Sequence, residues 1–294
     1  MNSAGPISVL GRERDVTIPG RGRFVVWDAP GPPGAPVLVL FHGVTLNATL
    51  NWSGVVPALS RHYRVLTLDL PGHGRGIRSG VPFRLEDCAD DVAAVAAAFG
   101  IPQLVPVGFS MGGMVAQLMW QRHPDLTAGL VLCSTARNVS GSVWERSAAM
   151  MIPGLMATAA WIPAMYPLGA DVLGTSLLDG VTEAAPRRWA MEQMRRTSLL
   201  NAMSAVQAAC QFTSHRWIGS VDVPTAVVVT NRDRIVPIRR QWKLADAVPG
   251  SVVHEIDAGH GVFLDAPDTF AAALLDACAS VTSGTGSGLT ESAS

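Results

Sequence analysis

The most constraining feature of the sequence is a series of short apolar runs that alternate with helical patterns. A continuously apolar strand is buried on both faces, which is typical of a parallel sheet covered by helices. Alternation of such strands with helices predicts an α/β architecture. The predicted strands are 23–29, 36–41, 64–70, 103–109, 129–134, 224–230 and 251–257, and the predicted core helices are 85–99, 111–123 and 267–279.

Composition and charge narrow the class of protein. The chain has 294 residues, of which 48% are hydrophobic and only 15% are charged. Such a chain can bury a large core, which excludes wholesale disorder. The 22 basic and 23 acidic residues give a net charge of −1 without a basic cluster. Nucleic-acid binding depends on clustered Lys and Arg, so we expect no nucleic-acid partner.

The cysteines and the chain start predict a cytoplasmic location. The first residues show neither a basic start nor an apolar run of signal-peptide length, so we expect no secretion by that route. The uncharged segment 147–170 is interrupted by Pro and Gly, so we expect no stable membrane insertion. Widely spaced cysteines in apolar surroundings predict buried free thiols in a reducing compartment. These cysteines are Cys88, Cys133, Cys210 and Cys278.

The strand–helix alternation is interrupted once, between residues 137 and 220. This region shows no convincing strand and holds seven of the eleven methionines. We interpret it as a helical cap insertion between two parts of one core domain, 1–136 and 221–279, and expect residues 280–294 to form a disordered tail. One helix of the cap is predicted by the stripe Leu199, Met203, Val206 and Cys210. The methionines either fill the cap's own core or line an apolar roof over a ligand.

A serine between a strand and a helix is the candidate nucleophile. The apolar run 104–109 leads directly into Ser110, and a helical pattern follows at once. A serine on such a sharp turn needs very small residues two places to either side, and Gly108 and Gly112 meet that need. The helix N-terminus beside Ser110 favours developing negative charge. The alternative is an ordinary glycine-rich turn.

A serine hydroxyl becomes a nucleophile when a base takes its proton, and a carboxylate must orient that base. His260 lies in the glycine-containing loop after the last predicted strand, which makes it the candidate base. Asp233 follows the carboxyl end of strand 224–230, where active sites of α/β sheets lie. Asp257 is the rival acid because it is close to His260 in sequence. A surface pairing with Arg232 or Arg234 is the alternative role for Asp233.

The chain order Ser110, Asp233, His260 matches the arrangement in α/β-hydrolases. Over residues 15–279 the sequence resembles the ester-cleaving group of that superfamily. Within this group, the run 130–136 and the insertion are similar to enol-lactone hydrolases and related small esterases. The motifs that carry the resemblance are Phe-His-Gly-Val at 41–44, Asp-Leu-Pro-Gly-His-Gly at 69–74, the serine turn at 108–113, and the loops that contain Asp233 and His260.

The resemblance implies an α/β-hydrolase fold, with a mostly parallel central sheet, helices on both faces and a helical cap. It also implies an oxyanion hole formed by the backbone amides of Val44 and Met111, with His42 organising the loop rather than acting as a second base. The family often has Ser where this chain has Gly76. The nearby polar residues Thr45, Asn47 and Asn51 either contact substrate or form a turn.

The expected function is hydrolysis of a carboxylic ester or lactone through an acyl-enzyme, with a small apolar substrate. Alternatives on the same fold are hydrolysis of a C–C bond and cofactor-free perhydrolysis. A low-turnover ligand-binding receptor is the alternative from another class. No dinucleotide fingerprint, phosphate loop or ligand-spaced His/Cys cluster is visible, so we expect neither cofactor nor metal. The protein either acts as a monomer or forms a homo-oligomer.

Overall fold

The computed structural model describes residues 8–78, 82–139, 178 and 181–283. They form an eight-stranded sheet in the order β1-β2-β4-β3-β5-β6-β7-β8. β1 and β2 pair antiparallel, as do β2 and β4, and the other neighbours are parallel. The strands are β1 Arg12–Ile18, β2 Gly22–Ala29, β3 Val37–Phe41, β4 Arg64–Leu68, β5 Val105–Phe109, β6 Leu130–Cys133, β7 Thr225–Thr230 and β8 Val252–Ile256.

The apolar runs of the sequence are the central strands of the sheet. Every residue of β5, β6 and β7 is buried, because helices cover both faces there. β1 was not predicted. Its sequence Arg-Glu-Arg-Asp-Val-Thr-Ile is charged and mostly exposed, as suits an edge strand that must not pair with other chains.

The helices cover the sheet on both faces and leave it continuous from β1 to β8. The predicted helices 85–99, 111–123 and 267–279 are all present. Within the described residues the helices are α1 Ala48–Trp52, α2 Val56–Leu59, α3 Leu85–Ala98, α4 Met111–Arg122, α5 Ala184–Met194, α6 Leu199–Gln211, α7 Ile238–Ala245, α8 Val262–Asp265 and α9 Pro267–Thr282.

The last helix corrects the predicted start of the tail. Residues 280–282 belong to α9 and are not disordered. The buried stripe Leu274, Ala277, Cys278 and Val281 continues at helical spacing beyond residue 279, so packing extends the helix by another turn. Residues 284–294 of the predicted tail lie outside the described residues.

The core under the site is aromatic. Phe109 at the end of β5 lies 6.5 Å from Trp52 and 5.9 Å from Phe270 between ring centroids. Phe263 meets the same ring edge-on at 5.5 Å. Edge-to-face packing and burial of such rings stabilise the fold by about 2–3 kcal/mol each. Ser110, which follows Phe109, is therefore anchored to a tightly packed aromatic core.

The helices α5 and α6 lie in the predicted cap region and contact loops of the sheet. Asn47 Nδ2 lies 3.4 Å from Gln193 O, Asn201 Nδ2 donates to Gly72 O at 3.1 Å, and Phe83 N donates to Ser204 Oγ at 3.1 Å. In the described part of 137–220 no strand forms, apart from an isolated bridge between Asn138 and Thr213.

The predicted stripe on α6 is placed differently in the structure. Among the side chains of α6 that the structure describes, Ala202 and Ala205 are the buried ones, and the helix packs against α3. Cys210 is half-buried, whereas Cys88, Cys133 and Cys278 are buried free thiols as predicted. Of the described cap methionines, Met194 is buried in the hydrophobic core and Met191 packs against it.

The uncharged segment 147–170 and the methionines and tryptophans that it contains lie outside the described residues. Within the described ranges, no helix combines the length and the apolarity that crossing a membrane needs.

Candidate active site

The nucleophile elbow, residues 108–113, joins β5 to α4 through a strained serine. Ser110 has φ 55° and ψ −118°. A non-glycine residue in such a conformation costs about 1–3 kcal/mol, and surrounding bonds must hold it. The Ser110 amide donates to Cys133 O at 2.9 Å, and Ser110 O accepts from Gly113 N at 3.0 Å and from Thr135 Oγ1 at 2.7 Å.

The glycines of the elbow leave no room for a side chain. A Cβ at Gly108 would overlap the backbone of Gly112, and one at Gly112 would overlap the Phe41 carbonyl. A Cβ at Gly113 would lie 2.5 Å from Thr135 Cγ2. The requirement for small residues around Ser110 therefore comes from close contact with neighbouring backbone. Glycine meets it, which allows the tight turn.

The structure brings together the three residues predicted as nucleophile, base and acid. His260 Nε2 lies 3.0 Å from Ser110 Oγ, and His260 Nδ1 lies 2.7 Å from Asp233 Oδ2. Asp233 accepts only, so Nδ1–H donates to it and Nε2 is left to accept the serine proton. All three residues are buried, and the His260 ring packs on Phe109 at 4.9 Å between centroids.

Asp233 is held by hydrogen bonds on both oxygens. Oδ1 accepts from the amides of Ile235 and Val236 at 2.8 Å each. Oδ2 accepts from His260, from Thr230 Oγ1 at 2.9 Å and from Gln241 Nε2 at 3.2 Å. Sequence reasoning missed Thr230 and Gln241, since neither belongs to a local motif that would reveal its partner.

The rival acid lies away from the imidazole. Asp257 is 79% exposed at its side chain, and its Oδ1 accepts from Arg232 Nε at 2.9 Å. The alternative of a surface ion pair for Asp233 is wrong, because the side chain of Asp233 is buried against His260. Arg232 does form a surface ion pair, but its partner is Asp257 and not Asp233.

The loop of residues 42–46, which we call the oxyanion loop after the predicted role of Val44, lies against Ser110. A Cβ at Gly43 would be 3.3 Å from Ser110 Cβ, and the Gly43 amide donates to Asn51 Oδ1 at 3.0 Å. Among the residues that the structure describes, no acceptor lies against the amides of Val44 and Met111. Both amides remain the predicted donors of the oxyanion hole.

The comparison with protein families decides the assignment. A family model described as alpha/beta hydrolase fold matches residues 36–267. The chain belongs to the α/β-hydrolase family. This confirms the superfamily and the fold that the motifs predicted.

Similar proteins include several esterases. A pimeloyl-[acyl-carrier protein] methyl ester esterase of Xanthomonas campestris is 30% identical over 250 residues, which cover 81% of this chain and 93% of that protein. A poly(3-hydroxyalkanoate) depolymerase of Ectopseudomonas oleovorans is 26% identical and covers 79% and 80%. The crystal structure of an enol-lactonase from Burkholderia xenovorans superposes with a TM-score of 0.70 at 24% identity, covering 90% of this chain and 99% of the other.

In this α/β-hydrolase, His42 organises the oxyanion loop, as expected. Its Nε2 accepts from the Leu70 amide at 2.9 Å, and its Nδ1 donates to Gly43 O at 2.8 Å. Complete burial lowers the pKa of His42 to about 4, so the ring is neutral at physiological pH. A neutral ring with both nitrogens bonded to backbone joins the loop after β3 to the loop after β4.

The loop after β4 adds a second buried histidine and a buried carboxylate. Burial and the neighbouring His42 lower the pKa of His73 to about 3. Burial raises the pKa of Asp69, while its two oxygens accept from the amides of Ala48 and Arg75 at 2.6 Å. The His42 and His73 rings are 5.1 Å apart. This hydrolase therefore supports its oxyanion loop with buried polar side chains.

Two of the three polar residues near the loop have a local structural role. Asn47 accepts from the Leu50 amide at 2.8 Å and begins α1, and Asn51 accepts from Gly43, so both have a local structural role. Thr45 is buried at φ 61°, and its Oγ1 has no partner among the described residues. Gly76 is explained by space, because a Cβ there would overlap the Leu70 carbonyl.

Metal ligation has no candidate within the described ranges. No group of three His, Cys, Asp or Glu side chains gathers there in a way that could hold an ion.

Proposed function

We propose that this protein is a serine hydrolase that cleaves a carboxylic ester or lactone through an acyl-enzyme on Ser110. The observation that carries the proposal is the continuous hydrogen-bonded series Asp233–His260–Ser110 at the carboxyl ends of the central strands. The names of the relatives, which include methyl ester esterases and a poly(3-hydroxyalkanoate) depolymerase, support an ester as substrate.

In the proposed reaction, Ser110 Oγ attacks the carbonyl carbon while His260 Nε2 accepts its proton. The oxyanion of the tetrahedral intermediate accepts hydrogen bonds from the Val44 and Met111 amides, which are fixed by the backbone. The imidazolium, stabilised by Asp233, protonates the leaving alkoxide. Water then gives its proton to His260 and its oxygen to the acyl carbon, and Ser110 regains its proton as the acid leaves.

The principal experiment compares wild type, Ser110→Ala, His260→Ala and the double variant on a panel of acyl esters and lactones. We expect each single variant to lose roughly 10⁵–10⁶-fold in kcat and the double variant to be little worse, because both residues serve one step. A residual rate of about 10³-fold over water is expected from the oxyanion hole and binding. Near-normal activity of Ser110→Ala contradicts the nucleophile assignment.

The chain offers a matched control for this experiment. Ser280 Oγ lies 3.4 Å from His254 Nε2 and donates to Ala277 O, and these bonds involve no residue of the proposed triad. Ser280→Ala removes a serine beside a histidine without touching the proposed triad. We expect its kcat to stay within twofold of wild type.

The same panel separates the alternative functions. Stoichiometric acylation of Ser110 without turnover is the result expected of a receptor. Turnover of vinylogous keto acids alone identifies a C–C hydrolase, and peroxide-dependent turnover alone identifies a perhydrolase. Turnover of simple esters or lactones is the result that the proposed function requires.

We further propose a preference for medium-sized apolar acyl groups or rings over acetate-sized or charged ones. The support is the methionine- and tryptophan-rich composition of residues 137–220, which leave the sheet after β6, beside the strand that carries Ser110. Each buried methylene contributes about 0.8 kcal/mol. The measurement is kcat/KM along a series of esters with acyl chains from about two to six carbons. We expect a rise, and a flat or falling profile contradicts the preference.

A further inference from the structure

A cluster of buried polar side chains lies behind the carboxylate of Asp233, and the proposed reaction gives it no role. We propose that Gln241, together with Thr230, is a positioning residue that holds Asp233 Oδ2 toward His260. This inference rests on the proposed function, since it needs Asp233 to be the acid that orients the base. The cluster consists of Ser134 after β6, Thr230 at the end of β7 and Gln241 on α7, and we call it the acid network.

The hydrogen bonds of Gln241 define which way its amide group is turned. Oε1 accepts from the Thr230 amide at 3.0 Å, and a backbone amide can only donate. Nε2 donates one proton to Val236 O at 2.8 Å, and it shares the other between Asp233 Oδ2 at 3.2 Å and Thr230 Oγ1 at 3.1 Å. In the opposite orientation the side-chain NH2 would face the Thr230 amide, and the side-chain oxygen would face Val236 O and the carboxylate of Asp233. Gln241 is therefore a donor to the carboxylate.

The hydroxyl of Thr230 completes the donors to the same oxygen. Thr230 Oγ1 lies 2.9 Å from Asp233 Oδ2 and 3.1 Å from Ser134 Oγ. A hydroxyl has one proton, and a bond to a carboxylate is the stronger one, so Thr230 donates to Asp233 and accepts from Ser134. Ser134 has φ 47°, which places its side chain in this network while Thr135 turns to the nucleophile elbow.

The two oxygens of Asp233 are thus held by different parts of the chain. Oδ1 is bound by backbone amides of its own loop, whereas Oδ2 is bound by side chains from β7 and α7 and by the imidazole. Thr230, Gln241 and Ser134 are fully buried, so no solvent is in place to substitute for a lost donor. Loss of Gln241 leaves the oxygen that faces His260 less restrained and its negative charge less stabilised.

The test uses four variants at two positions of the acid network. Gln241→Leu and Thr230→Val remove the donors at similar volume, Gln241→Glu puts a second carboxyl group beside Asp233, and Thr230→Ser keeps the hydroxyl. We expect the first three to lower kcat about tenfold to a hundredfold with KM within about twofold, because orientation matters most in the transition state. Thr230→Ser should recover most of kcat.

The pH profile supplies a readout that a merely structural role would not move. Hydrogen-bond donors favour an ionised carboxylate, so their loss should shift the acid limb of kcat/KM upward by about half to one pH unit. The matched control is Gln117→Leu. Gln117 is also a fully buried glutamine with three hydrogen bonds, to Gly113 O, Ala136 O and Ser214 Oγ, and none of them reaches Asp233.

The outcomes separate the inference from the function on which it rests. If Gln241→Leu and Gln117→Leu both lower the melting temperature but share the wild-type acid limb and kcat, the positioning role is overturned. If Ser110→Ala retains activity, the proposed function itself fails. Loss of activity in Ser110→Ala together with wild-type kcat and pH profile in Thr230→Val overturns only the role of the acid network.

Discussion

The nucleophile elbow and the loop that carries Asp233 are both rigid, but they are held by opposite means. The elbow is shaped by missing side chains, since Gly108 and Gly112 stand where any Cβ would overlap backbone. The acid loop is shaped by side chains that are present, with Thr230 and Gln241 both bonded to Asp233. Sterics act over a few neighbouring residues, whereas a hydrogen-bond network can recruit donors from distant parts of the chain.

The largest effect is expected from adding a side chain to the elbow. In Gly112→Ala the new Cβ would overlap the Phe41 carbonyl, so β3 and α4 cannot both keep their places. We expect loss of the folded protein or destabilisation of about 4 kcal/mol or more, measured by chemical denaturation. Gly219→Ala is the control, because its Cβ meets nothing closer than Ala247 O at 3.6 Å. Equal stability of the two variants would show that the elbow is not sterically defined.

This contrast also explains which parts of the molecule the sequence predicts. The elbow was predicted from six consecutive residues, because its constraints are local. The central strands were predicted within a residue or two, as with 36–41 against Val37–Phe41, because burial on both faces requires apolar side chains. The charged edge strand β1 carries no such pattern, so its pairing with β2 could not be predicted.

The acid network could not be predicted for a related reason. Gln241 follows Asp233 by eight residues on an amphipathic helix, where an inward-facing glutamine looks like any other polar residue. Ser134 precedes both by about a hundred residues, and only the β6–β7 pairing brings it close. Asp233 itself was predictable because an acid at the end of a buried strand has a position typical of active sites.

The next effect is expected from removing the charge at the centre of the acid network. Asp233→Asn should keep the fold and lower kcat by about three to four orders of magnitude, because an amide stabilises the wrong imidazole tautomer. The NH2 group of the new asparagine could also face the Ile235 and Val236 amides, which donate to a carboxylate oxygen in the wild type. The measurement is kcat on the best ester together with circular dichroism. A loss below tenfold in a folded variant contradicts the assignment of the acid.

A smaller effect is expected from the histidines under the oxyanion loop, a third region held by side chains. Burial lowers the pKa of His42 to about 4 and of His73 to about 3, so the folded protein binds no proton there near neutrality. In the unfolded chain each of these histidines binds a proton below about pH 6.5. The free energy of unfolding should therefore fall between pH 6.5 and 5, by about 2 kcal/mol for each histidine.

The variant that tests this is His73→Asn, whose amide can still donate to the Pro71 carbonyl as Nδ1 does at 3.0 Å. Urea unfolding of wild type and variant at pH 7 and pH 5 measures the difference. We expect the pH-dependent loss to shrink by about 2 kcal/mol in the variant. The exposed His62 provides the control His62→Asn, which should keep the wild-type dependence. An unchanged slope in His73→Asn would show that His73 does not remain neutral in the fold.

The smallest effect is expected at Asp257, three residues before the base. Its carboxylate is 79% exposed and pairs with Arg232, and exposed ion pairs contribute about 0–1 kcal/mol because water and salt screen them. Asp257→Asn should change kcat by less than about twofold and stability by less than about 1 kcal/mol. If Asp257→Asn instead loses orders of magnitude in kcat while Asp233→Asn is mild, the acid has been misassigned. Closeness to His260 in sequence would then identify the acid better than the buried hydrogen bonds around Asp233.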